Sequence, residues 1–193
     1  MTPVKEDPEF PYQIWKSWEN ECLLGVIEAE LRDVYPEQGL AFFDNFAELL
    51  PQADEMTESV EKVDEDGGFA INRFVQKDVP LISQRCWVAK AVPVSNAEED
   101  THELFNTEQG CEPFKEKHCG KDFAGDMVVG TMHLQYFQVS PLKDASGEVA
   151  GSKLRIISHF NVNGHIPDVV IDALAAKTYT EGVVGVKRVM ATL

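Results

Sequence analysis

The sequence predicts an α+β domain, a curved antiparallel sheet packed against one long C-terminal helix. Three observations carry this. Extended segments rich in β-branched and aromatic residues recur from Phe10 onward, separated by turn residues, of which Asp66-Gly67-Gly68 give the strongest hairpin signal. The long helical run, Asp168 to Met190, comes last. It is reached through Asn163-Gly164-His165-Ile166-Pro167, where a strand runs into a glycine and a proline then takes the first helical position, at which its missing N–H costs nothing.

In chain order, Phe10 to Trp18 reads as a strand, and Glu19-Asn20-Glu21 offers a turn to a second one, Cys22 to Leu31. In that second strand Leu23, Ile27, Ala29 and Leu31 share a face opposite Glu28, Glu30 and Arg32, as half-buried strands require. Pro36 opens a short helix, Glu37 to Asn45, and Phe46, Leu49 and Leu50 continue it or form a second turn before Pro51. Ser59 to Val63 and Phe69 to Gln76 are strands joined by the Asp64-to-Gly68 turn, and Ser83 to Val94 is another. From Asn96 to Asp126 the chain is acidic and aperiodic, and is expected to be a long loop or insertion. Met127 to Leu142 reads as one long strand, Lys143 to Gly151 as a turn, and Lys153 to Asn163 as the last strand.

The last helix carries a stripe of mostly small residues at helical spacing: Ile171, Ala175, Thr178, Gly182, Val186 and Val189. Glycine inside a helix costs about 1 kcal/mol relative to alanine. Two explanations stay open: the helix covers something that needs room, or it packs closely on the sheet. Gly182 and Gly185 are the expected points of yielding, so that replacing both by alanine raises stability and slows ligand exchange.

Composition narrows the function. The chain has 193 residues, a single-domain length, with 33 acidic against 17 basic side chains and a net charge of −16. Such a field repels nucleic acid, and no Lys/Arg-rich block overturns it. The N-terminal residues contain no apolar leader, and no run approaches the ~20 apolar residues of a spanning helix, so a soluble, cytoplasmic protein is expected, and it is expected to act as a monomer. Cys22, Cys86, Cys111 and Cys119 lack a disulfide-framework spacing and are expected as reduced thiols. Cys111, His118-Cys119 and His102 are metal-capable types without the paired spacing of structural zinc sites; no metal and no cofactor is expected, and the segment reads as a solvated loop.

The order of these elements resembles the helix-grip fold, and the chain is similar to START domains, the lipid-transfer family named after the steroidogenic acute regulatory protein. Three segments carry the likeness. Val79-Pro80-Leu81-Ile82-Ser83-Gln84-Arg85-Cys86-Trp87-Val88 resembles the family's strand that begins with an Arg-Asp pair; Val128 to Leu142 resembles the strand ending in Pro-Leu; and Lys153 to Met190 resembles the last strand, the Gly-x-Ile-Pro junction and the C-terminal helix. Residues 96–126 stay unmatched. The resemblance implies an internal hydrophobic tunnel between sheet and helix holding one lipid, lined at matching positions by Asn72, Ala91, Gln135, Phe137, Val162, Ala175 and Met190. The sequence adds one face of the last strand, Ile156, Ser158 and Phe160, and one side of the preceding motif, Arg85 and Trp87. Ile171, Thr178 and Gly182 join from the helix stripe. Where the family places Asp after its Arg, this chain has Cys86, so Arg85 needs another partner. Where some sterol-binding members pair a carboxylate with an Arg, it has Asn72 and Ala91, which leans toward a neutral ligand.

A non-enzymatic lipid-binding and lipid-transfer protein, sequestering one sterol or phospholipid and contacting membranes transiently, is therefore the leading reading. One alternative is a helix-grip enzyme acting on a small hydrophobic substrate through His133 or a loop acid, His133 being the one candidate that can be named. The other is a lipid-sensing module read through the acidic segment.

Overall fold

A computed structural model describes residues 2–3, 11–19, 22–79, 82–120, 125–164 and 166–193. Phe10, the Asn20-Glu21 turn, Pro80-Leu81, residues 121–124 of the acidic segment and His165 of the helix junction lie outside the described residues.

The α+β expectation holds. The strands are β1 (Thr2–Pro3), β2 (Tyr12–Glu19), β3 (Cys22–Leu31), β4 (Thr57–Asp66), β5 (Phe69–Gln76), β6 (Arg85–Asn96), β7 (Thr101–Thr107), β8 (Val128–Val129), β9 (Thr131–Lys143) and β10 (Val149–Asn161). The helices are α1 (Pro36–Asp44), α2 (Phe46–Ala53), α3 (Glu112–Cys119) and α4 (Asp168–Met190). The sheet runs β1-β2-β3-β10-β9-β7-β6-β5-β4, with β8 paired parallel to β6. Its concave face is set by register. Ile14, Ile27, Ile156, Phe137 and Leu104 pair in turn across five strands, and all five are buried. Alternation along each strand then sends Glu28, Lys153 and Arg155 to the outer face.

One end of the concave face is filled by α1 and α2. Phe42, Phe43 and Phe46 stack on Phe137 at centroid distances of 5.3–6.5 Å, and Phe46 also meets Phe74 at 6.4 Å. The C-terminal half of α4 packs beside them through Val183, Val186, Val189 and Met190. Gln38 Nε2 donates to the Met190 carbonyl (3.1 Å) and Arg188 to that of Gln52 (2.8 Å), so this Arg ties two helices together. The N-terminal half of α4 is held more lightly. Val169 is 74% exposed, and Asp172 accepts from Trp18 Nε1 (3.0 Å) and pairs with Lys16 (3.0 Å) on β2.

The structure corrects several expectations. The segment 96–126 is no plain loop. It supplies β7, a strand inside the sheet between β6 and β9, and α3, which covers the outer face of β5 and β6. The inward positions of β7 are His102, Leu104 and Asn106, two of them polar, so the apolar alternation that marks a strand is missing. Cys111 and Cys119 are not solvated either. With Ile71, Val75, Cys86 and Val88 they form a second small core beneath α3, where Cys119, hydrogen-bonded to Cys86 and buried, has its thiol pushed far up. Lys117 donates to Asp64 (2.7 Å), holding that carboxyl down at about 2 and tying α3 to β4.

The expected strand Met127 to Leu142 breaks at Gly130 into β8 and β9. Pro51 lies inside α2 rather than after it. Pro167 caps α4 from outside, its carbonyl accepting the Val170 N–H (2.9 Å). The β4–β5 turn is at Gly67-Gly68, both at positive φ (60° and 83°), as a two-residue hairpin requires. No helix among the described residues is long and apolar enough to cross a membrane.

Candidate functional site

Between the concave face and α4 lies a cavity of about 200 Å³ with mostly apolar walls. Of the expected lining residues, β6 contributes Trp87, β9 Gln135 and Phe137, and β10 Ile156, Ser158 and Phe160. Val162 follows just after β10, and α4 adds Ile171, Ala175, Thr178 and Gly182.

Five expected residues lie elsewhere, each for a local reason. Asn72 is buried on the concave face opposite Ala89, two residues beyond the lining Phe74, and Ala91 sits further along, paired with Asn106. Met190 is fully buried in the core at the last turn of α4, next to the carbonyl bonded by Gln38. His133 is turned to the outer face by a bulge: the β9–β10 register shifts between His159 and Phe160, so Met132 takes the inward place. There its Nε2 meets Cys22 Sγ at 3.3 Å and its ring lies 4.9 Å from that of His159. His133, the candidate general base that could be named, is thus outside the cavity.

Arg85 is 3% exposed, and its guanidinium donates to the backbone carbonyls of Ser83, Val162 (3.3 Å) and Asn163 (3.4 Å). Those carbonyls take the place of the acid that Cys86 does not supply. Arg85 fastens the start of β6 to the β10–α4 junction, and burial without a carboxylate lowers its pKa.

The two glycines of α4 serve one purpose each. A Cβ on Gly182 would meet nothing within 4 Å, so this glycine leaves room in the cavity. A Cβ on Gly185 would overlap the Ala53 carbonyl, so that glycine lets α4 touch the end of α2. The expectation that both tolerate alanine is therefore wrong for Gly185. Gly25 on β3 plays a matching part: the ring of Tyr179 from α4 lies where its Cβ would be, with the phenol hydrogen-bonded to Ser158.

Sequence reasoning missed Tyr179, Thr57, Gln76 and Asp54. Tyr179 was legible, because it lies three residues before Gly182 and four after Ala175 on the same helical face. Asp54 gave no such signal. It follows α2 and accepts from the Met56 N–H (3.0 Å) and the Thr57 hydroxyl (2.7 Å), an arrangement that reads in sequence as an ordinary turn. Yet it lines the cavity, where burial pushes its carboxyl above the usual 3.8. It is the one charged side chain among the described lining residues. Trp87 Nε1, also on the wall, is buried without a hydrogen-bond partner among the described residues. No group of three or more His, Cys, Asp or Glu side chains among the described residues is arranged to hold a metal.

The raised Asp54 pKa gives a test. A carboxyl whose folded pKa lies above its unfolded value contributes stability that is complete below the unfolded pKa and is lost as pH rises through the folded one. Asp54→Asn keeps the shape and the acceptor for the Met56 N–H while removing the charge, its amide N–H donating in turn to the Thr57 hydroxyl. It is expected to be more stable than the parent at pH 7, the difference shrinking toward zero as pH falls to about 4. Denaturant melts across that range measure this, and Lys77 and Glu181, the charged groups acting on Asp54, stay unchanged. Equal stability at pH 7 would refute the assignment.

No model of a protein family matches the sequence, and no curated protein does. Solved structures match the fold. Human StAR-related lipid transfer protein 5 superposes with a TM-score of 0.75 at 16% identity, over 99% of this chain and 86% of that one. Human STARD10 gives 0.72 at 9% identity, over 98% and 72%. A STAR-related lipid transfer protein from Xanthomonas axonopodis gives 0.67 at 10% identity, over 98% and 97%. The chain has the helix-grip fold of START-type lipid-transfer domains, as the three sequence segments suggested.

Proposed function

We propose that this chain is a lipid-transfer domain that encloses one neutral lipid between the sheet and α4 and carries it between membranes, acting as a monomer in the cytoplasm. The observation that carries the reading is the apolar cavity under a helix stripe kept small at Gly182 and Ala175, with no Lys, Arg or His among its described lining residues. A phosphate or fatty-acid carboxylate would be desolvated there without a counter-charge, at a cost of several kcal/mol. A neutral lipid meets no such barrier, and burying roughly 400 Å² of its apolar surface at about 25 cal/mol per Å² supplies on the order of 10 kcal/mol before association costs.

Loading requires movement. Pockets for drug-sized ligands run to roughly 300–1,000 Å³, more than this cavity offers with α4 in place. The C-terminal half of α4 is anchored on α1 and α2, so the N-terminal half is the part that swings, pivoting where Gly182 leaves the helix unsupported. The Asp172 contacts to Lys16 and Trp18 act as its latch. Asp172→Ala is expected to speed lipid release about threefold to tenfold, corresponding to about 0.7–1.4 kcal/mol for an exposed ion pair plus one hydrogen bond. Stopped-flow transfer of a fluorescent sterol between vesicles reads this; an unchanged rate would assign the gate to another element.

The deciding experiment is native mass spectrometry of the protein purified from a lipid-containing extract, with identification of what denaturation releases. One neutral lipid per chain supports the proposal. A protein that emerges empty and takes up neither fluorescent sterol nor phospholipid overturns it.

A further inference from the structure

We propose that Asp54 and Thr57 form the head-group subsite of the cavity and select a lipid bearing a hydrogen-bond donor, a hydroxyl, over the same chain ending in an ether or a carboxylate. The inference rests on the lipid-binding reading and names the chemistry that the cavity accepts.

The two residues sit where α2 gives way to β4, at the edge of a mostly apolar wall, and both line the cavity with Gln76, the cross-strand partner of Thr57. Asp54 is held in place. Oδ1 accepts the Met56 N–H at 3.0 Å and Oδ2 the Thr57 hydroxyl at 2.7 Å, so each oxygen keeps a lone pair for a further donor. The Thr57 hydroxyl spends its proton on Asp54, which leaves its own oxygen as an acceptor. Such a pair can take a ligand O–H and has no proton of its own to give an ether oxygen while Asp54 is ionised. No cationic side chain lines the described wall, and Glu181 adds a second negative charge nearby, so a carboxylate head is repelled. The cation acting on Asp54 is Lys77, which follows β5 and is exposed. Placing a partly buried carboxylate beside apolar walls is costly in the unliganded protein, and a donor from the ligand offsets that cost. An amine head satisfies the same oxygens and adds charge, so the shared chemistry is donation to Asp54, and the probes separate the two donors.

The test titrates the full chain with four probes of one alkyl length, ending in a hydroxyl, a methyl ether, an amine or a carboxylic acid, by displacement of a fluorescent fatty alcohol at pH 7. The alcohol is expected to bind about tenfold or more tighter than the ether and the acid, the range for one hydrogen bond to a charged acceptor. Asp54→Leu should reduce that preference to less than threefold, by weakening alcohol binding. Asp54→Asn, whose amide keeps one acceptor oxygen but adds an N–H donor, should narrow the alcohol-over-ether preference and lose any advantage of the amine. Equal binding of all four heads by the parent protein, or a preference that survives in Asp54→Leu, overturns the subsite and leaves the lipid-binding reading standing. Failure of the fluorescent alcohol and all four probes to bind overturns that reading itself. Tighter binding of the amine than of the alcohol overturns the hydroxyl assignment and reassigns the head group as a cation.

Discussion

Gly185→Ala is expected to lower the stability of the protein by about 2 kcal/mol or more, even though alanine is the better helix former by about 1 kcal/mol. The added Cβ overlaps the carbonyl oxygen of Ala53, a backbone atom at the end of α2 that no rotamer change moves aside. Relief requires α4 to separate from α2, and this half of the helix buries Val183, Val186, Val189 and Met190. For a chain of 193 residues the loss appears as a fall in melting temperature of about 4–8 °C. Gly182→Ala, three residues away, should instead raise it, because its Cβ meets nothing within 4 Å and the propensity gain stands alone. Thermal melts of the two variants side by side decide the matter; a stabilised Gly185→Ala would mean that α4 does not pack on α2 as described.

Gly182→Leu is the complementary change, directed at function. Its side chain projects into the open volume, toward walls that are already apolar, so it fills the cavity from within. Lipid uptake is expected to fall by more than a hundredfold, with the melting temperature unchanged or raised. The expected magnitude follows from removing much of the apolar surface that drives binding, where each 1.4 kcal/mol is a factor of ten. Sterol uptake with wild-type affinity would place the ligand elsewhere in the molecule.

The sequence disclosed most where one physical signal dominated. The β4–β5 hairpin, the alternation in β3 and the bounds of α4 follow from local patterning, and the concave lining of β10 follows from period-two spacing once Ser158 is accepted as a polar member. What it hid depends on distant parts of the chain. β7 is extended because β6 and β9 flank it, and its inward His102 and Asn106 carry no apolar signature. His133 belongs by spacing to the same face as Gln135 and Phe137, and one shift of register against β10 reverses it. Asp54 looks like a turn residue until α4 is laid across it. Arg85, lacking its expected acid, found carbonyls almost eighty residues away, at Val162 and Asn163.

The pairing of β3 with β10 has a consequence for biosynthesis. Leu31 meets Ser152 and Leu23 meets Phe160, so the open edge of an early hairpin waits for a strand made more than a hundred residues later. Until then β3 offers unpaired backbone groups beside a row of Leu and Ile side chains, the arrangement that invites intermolecular pairing. Folding of so non-local a sheet is slow relative to helical proteins, and at about 5–20 residues per second a ribosome needs several seconds to deliver β10. A nascent chain stalled before Val149 would hold two orphan edges, β3 and β9, and is expected to be a strong chaperone client, whereas a chain extended past Asn161 and clear of the exit tunnel can close the sheet.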